Sequence, residues 1–67
     1  MTLKNAKRKY KLMGRPQTHC IYRYERARPL LSQAFASDHS VEFGVERRDR
    51  AELQHRLYGT RYQIVDV

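Results

Sequence analysis

Val41, Phe43 and Val45 alternate with Glu42, Gly44 and Glu46, so the chain after Ser40 has one apolar and one polar face at the period of a β-strand. Asp49 follows where a helix N-cap should stand. Glu52, three residues on, completes the spacing at which two side chains satisfy each other's backbone N–H groups. Leu53 and Leu57 lie one turn apart, and Gly59 supplies a left-handed residue to end the helix. Tyr62, Ile64, Val65 and Val67 then predict a closing strand. This half of the chain reads as strand, helix, strand.

The preceding stretch follows the same plan. Thr18 to Tyr24 predicts a strand with Cys20, Tyr22 and Tyr24 on one face and His19, Ile21 and Arg23 on the other. Arg28-Pro29-Leu30-Leu31 opens a helix, because proline's missing N–H costs nothing in a first turn. That helix is expected to reach about Ser37, with Leu31, Ala34 and Phe35 toward the core and Asp38-His39-Ser40 turning the chain. Tyr-Arg-Tyr-Glu-Arg from Tyr22 aligns with Phe-Gly-Val-Glu-Arg from Phe43, a faint repeat of the kind any two strand–helix units of similar length share. Taken as a repeat, it implies an α+β fold in β-α-β-α-β order. The small three-stranded sheet would carry both short helices on one face. The crossovers are long enough for parallel, right-handed pairing. Through Phe43-Gly44-Val45, Arg50-Ala51-Glu52 and Gly59 the second unit also resembles half of a peptidoglycan-binding SPOR domain. The basic N-terminus and the missing fourth strand depart from that pattern, so no role is carried over.

Met1 to Gln17 forms a basic arm, and two conformations fit it. As a helix, Thr2 caps it, Leu3, Ala6, Tyr10 and Met13 form a thin apolar stripe, and Gly14 and Pro16 stop it. As a strand, Ala6, Arg8, Tyr10 and Leu12 share one face and Lys7, Lys9 and Lys11 the other, with Gly14 to Gln17 as the turn. Crowded like charges repel in either form, so the arm is expected to be helical, or disordered until bound. The expected organisation is this arm, residues 1–17, and one small α+β domain, residues 18–67.

Size and composition narrow the rest. Sixty-seven residues make one domain with a thin core. Cys20 is the single cysteine, which excludes an internal disulfide framework and suits a reducing, cytoplasmic setting. No apolar run approaches the length of a membrane span, and no membrane role is expected. Charge is distributed unevenly. Residues 1–28 carry nine Lys and Arg against Glu25, whereas residues 29–67 carry five Arg against six carboxylates, for a net +7. That asymmetry points to a polyanion or an acidic partner for the first half.

The leading expectation is therefore a nucleic-acid-binding protein that contacts the phosphate backbone, with RNA or a ribonucleoprotein favoured over duplex DNA. Lys4, Lys7, Arg8, Lys9, Lys11 and Arg15 would neutralise phosphates and release counterions. Arg23, Arg26 and Arg28 would orient phosphates through bidentate hydrogen bonds, and Tyr24, beside Tyr22, would stack on an unpaired base. Both tyrosines also fit a buried strand face under the helices. A different class fits as well: a small accessory or inhibitor protein of viral or mobile-element type. It would dock on a larger nucleic-acid-processing machine such as a polymerase, nuclease or CRISPR-type effector, through Arg47, Arg48 and Arg50. Catalysis is not expected. His39 or His55 with Glu42 or Glu46 has the residue types of a ribonuclease, but Glu42 and Glu46 are explained as the solvent face of a strand. Cys20, His19, His39 and His55 lack the short spacing of a zinc site, so no metal or cofactor is implied, and Cys20 reads as a small buried hydrophobe.

Overall fold

The computed structural model describes residues 1–26 and 41–65. Helix α1 (Leu3–Leu12) starts at Thr2, whose hydroxyl oxygen accepts the Asn5 N–H at 3.2 Å. It ends in paired hydrogen bonds from Gly14 N–H to the Lys11 carbonyl and from Arg15 N–H to the Tyr10 carbonyl. Gly14 (φ 88°) and Arg15 (φ 48°) both take left-handed conformations to make that ending. Within residues 1–17 the helix spans Leu3–Leu12, and it packs on the sheet. Ala6 is fully buried, and Tyr10 shares its hydroxyl proton between the carbonyls of Pro16 (3.1 Å) and His19 (3.3 Å).

Strands β1 (His19–Glu25) and β2 (Val41–Arg47) come next in the described chain. Helix α2 (Arg48–Tyr58), a 3₁₀ turn (Gly59–Arg61) and strand β3 (Tyr62–Val65) complete it. The helix expected from Arg28 to Ser37 lies outside the described residues, as does Val67. The sheet order is β2-β1-β3, and both pairings are antiparallel, which overturns the parallel arrangement. Its register places Ile21 opposite Val45 and Val65, and Tyr22 opposite Gly44 and Ile64. Central β1 is covered from both sides and both edges, so it supplies the deepest residues: Ile21 is fully buried and Cys20 nearly so. At Phe43, outer-edge N–H and C=O groups of β2 pair with the Met1 backbone, covering part of an edge that would otherwise template another strand.

The two described helices take opposite faces. Ala51 of α2 packs with Cys20 and Tyr62, flanked by Tyr22, Tyr24 and Ile64, all on one side of the sheet. Helix α1 touches β2 and β1 and makes no contact with α2. An open groove occupies the α2 side of β2, and no α1 residue lines it, so α1 covers the side of Ile21, Phe43 and Val45. Glu42, Gly44 and Glu46, expected at the solvent, face α2 instead. With a helix on each side, neither face of β2 is wholly solvent.

Helix α2 departs from its expected details. Its N-cap is Arg47, with no side-chain cap; Asp49 lies inside the first turn and accepts the Arg50 N–H at 2.8 Å. Strand β2 runs straight into the helix, so the chain has already become helical where Asp49 would have capped it. Leu53 (52% exposed) and Leu57 (66%) face outward, while Ala51 is fully buried. The smaller residue is chosen because α2 sits close to a layer of tyrosine rings. His55 Nδ1 donates to the Tyr62 carbonyl at 2.6 Å, fastening the helix to β3. Gly59 has the expected positive φ of 61°, but with ψ −135° it starts a 3₁₀ turn in a region only glycine enters readily.

Candidate nucleic-acid interface

On α1 the apolar residues Leu3, Ala6 and Tyr10 recur at helical spacing and turn inward, which sends Lys4, Arg8 and Lys11 to the opposite face. Lys7 and Lys9 flank them, and all five cations are exposed. No carboxylate stands within ion-pair distance of any of the five among the described residues. Docking through Ala6 and Tyr10 holds these charges in a fixed array. Lys9 and Lys11 sit in the last turn, where the helix dipole favours positive charge.

The basic surface extends past the helix end. Arg15 is exposed in the turn into β1. Arg48 reaches the same turn: its Nε donates to the Gln17 carbonyl at 3.1 Å and its backbone N–H to the Thr18 carbonyl at 2.9 Å. Arg47 lies beside it and pairs with Asp49 at 3.5 Å. Arg48, far away in sequence, is therefore brought to the turn that follows the C-terminal end of α1 and Arg15, with Arg47 beside it. Arg50 is separated from them and borders the groove on the α2 side.

The arginines of β1 do not join this array. Arg23 is half-buried on the α1 side and pairs with Glu25 at 3.6 Å. Arg26 pairs with Glu42 at 3.0 Å. Arg28 lies outside the described residues. Tyr24 points to the other side of the sheet from Arg23, half-buried, with its ring 5.3 Å from Tyr58 in an edge contact and 6.0 Å from Tyr62. Alternation along a strand separates the tyrosines from Arg23, so these residues do not form one stacking-and-phosphate surface.

A second feature, not anticipated from the sequence, lies on the α2 side. Tyr22, Tyr24, Tyr58 and Tyr62, with Glu42 and Glu46 of β2, line an open groove of about 490 Å³. Tyr22 stacks on Tyr62 with ring centroids 5.1 Å apart and planes 13° from parallel. The Tyr22 ring also lies against the backbone of Gly44, where a Cβ would come within 2.6 Å of its hydroxyl. Burial raises the Tyr22 hydroxyl above its ordinary pKa, and the charges of Glu42 and Glu46 raise it further. Tyr62 is displaced upward more strongly, again chiefly by burial. The available signal was Tyr-x-Tyr facing Glu-x-Gly-x-Glu, which becomes one surface only when strand register is known.

Among the described residues, no three His, Cys, Asp or Glu side chains cluster as a metal site requires, and no helix is long and apolar enough to cross a membrane. No known protein family, curated protein or solved structure matches the chain.

Proposed function

We propose that this protein binds nucleic acid through the phosphate backbone, using the outward face of α1 and the turn beyond it. The observation that carries this reading is the array of Lys4, Lys7, Arg8, Lys9 and Lys11, exposed, unpaired by carboxylates among the described residues and held on a docked helix. Each phosphate neutralised releases condensed counterions, so such an array binds duplex or single strand without reading bases. Arg15 and Arg48 extend the surface at the C-terminal end of α1. Arg23 and Arg26 hold internal ion pairs, so they contribute secondarily. RNA or a ribonucleoprotein is the favoured target, with Arg8, Arg15 and Arg48 supplying the bidentate fit to phosphate.

The test is fluorescence anisotropy with single-stranded RNA, duplex RNA and duplex DNA over a range of salt. Because α1 is part of the packed domain, charge substitution is the right perturbation and truncation is not. Lys4→Glu, Arg8→Glu and Lys11→Glu together should weaken binding by roughly 100-fold. They should also flatten the salt dependence by about 0.9 in log–log slope for each phosphate no longer neutralised. Retention of wild-type affinity in that folded variant sinks the reading.

A second reading draws on a different surface. Leu53, flanked by Arg50 and Arg56, and Leu57, one turn on, project from α2 into solvent. Exposed leucines at helical spacing suit docking on a larger nucleic-acid-processing protein, the accessory or inhibitor role. Activity that survives the α1 reversal but is lost on Leu53→Ser with Leu57→Ser would favour it.

A further inference from the structure

We infer that the tyrosine-lined groove between β2 and α2 is a binding site for an organic cation bearing N–H donors, a guanidinium or alkylammonium group. Three observations converge on that chemistry. Glu46 lines the groove, and its carboxylate accepts only the backbone N–H of Arg47, at 2.9 Å, with no cation within ion-pair distance among the described residues. Tyr62 is only 5% exposed yet borders the same space, and its hydroxyl has no hydrogen-bond partner among the described residues. The hydroxyls of Tyr22, Tyr24 and Tyr58 are likewise without a partner there, so four phenolic oxygens and an unneutralised carboxylate open on one space.

The protein's own cations already gather at the margins of this space. Arg26 is bonded to Glu42 at 3.0 Å, and the Arg61 guanidinium sits 5.5 Å from the centre of the Tyr58 ring. In a chain of net charge +7 this is a local patch of acceptors and aromatic surface, the opposite of the α1 face. Glu42 is already paired with Arg26 and Arg50 borders the α2 side, so the unneutralised charge comes from Glu46, where a guanidinium finds a carboxylate, hydroxyl acceptors and rings together. The volume suits one side chain or a small amine rather than a folded element. Such a cation can come from an arginine or lysine side chain of a basic partner, or from a free polyamine.

The experiment uses the isotopically labelled full chain and two-dimensional amide NMR. The probes are acetyl-Gly-Arg-Gly-amide, the same peptide with neutral citrulline in place of arginine, and spermidine. The arginine peptide should give saturable shifts at Tyr22, Gly44, Glu46 and Tyr62, and the citrulline peptide should bind about tenfold more weakly, since hydrogen bonds to charged groups are the stronger ones. Glu46→Gln should weaken the arginine peptide about fivefold while leaving nucleic-acid affinity unchanged. Tighter saturation by spermidine at the same amides assigns the site to a polyamine, and tighter saturation by the peptide assigns it to a protein side chain; either supports the inference. Equal binding of arginine and citrulline, or shifts confined to residues outside the groove, overturns it, and that comparison leaves the protein's fold untouched.

Discussion

The two described helices are close in length and lie on opposite faces of one sheet, yet they present contrary surfaces. Helix α1 turns Leu3, Ala6 and Tyr10 inward, leaves Leu12 in solvent, and offers a charge field of a single sign. Helix α2 buries one alanine, leaves Leu53 and Leu57 in solvent, mixes both charges, and stands beside a groove of tyrosines and glutamates. Each helix holds two leucines and buries an alanine, so leucine content does not decide what packs: close approach of α2 to a ring layer requires a small residue, and Ala51 meets that need. One face is therefore suited to anions at long range, and the other to short-range contact.

The α1 charge reversal gives the largest expected effect, about 3 kcal/mol of lost binding for a 100-fold change, and it should leave stability nearly unaltered because those side chains stand in solvent. Next comes Gly44→Ala. Its Cβ would meet the Tyr22 hydroxyl and ring at 2.6 to 2.8 Å, so the ring must leave its stack on Tyr62. Chemical denaturation should register a loss of about 1–3 kcal/mol, the usual cost of overpacking. An unchanged midpoint would show that the ring moves freely.

Alkaline pH separates the faces in a third way. Tyr22 and Tyr62 hold their protons more tightly when folded than when unfolded. Above the ordinary tyrosine pKa of 10.0 the unfolded chain therefore binds fewer protons than the native one, and stability falls as pH rises. Their contribution is fully present below that pH and diminishes above it, by at most about 1.4 kcal/mol per pH unit per group. Denaturant midpoints measured from pH 8 upward in Tyr62→Phe should lose part of this slope; an identical slope would remove Tyr62 as its source. The smallest effect belongs to Leu53→Ser and Leu57→Ser, expected to change stability by less than about 0.5 kcal/mol each because the side chains are already hydrated. A large loss there would mean that the α2 surface is buried in an assembly.

Much of the fold was readable in advance, residue by residue. Thr2, Gly14, Gly59 and the two faces of β1 behave as anticipated because each acts on backbone within a few residues of itself. The exposed cations of α1 were equally legible, since Leu3, Ala6 and Tyr10 dictate which side turns in. What failed had a common cause. Asp49 was displaced from its cap by a strand that continues to Arg47, and Glu42 and Glu46 turned toward α2 rather than to solvent. Arg47 and Arg48 joined the α1 array only through contacts to the distant Gln17–Thr18 turn, and the groove exists only because Tyr22 lies opposite Gly44.

By itself the sequence determined which of the described stretches form helix or strand, which residues carry charge, and that the first half of the chain is strongly basic. Those properties follow from local hydrogen bonding, periodicity and composition, and need no distant partner. Tertiary structure alone decided strand direction, which helix covers which face, which leucines stay in solvent, and where acceptors and aromatic rings meet. Such choices depend on pairings between residues far apart in the chain, where several registers and helix placements satisfy the same local pattern. Packing one small core between two helices selects among them.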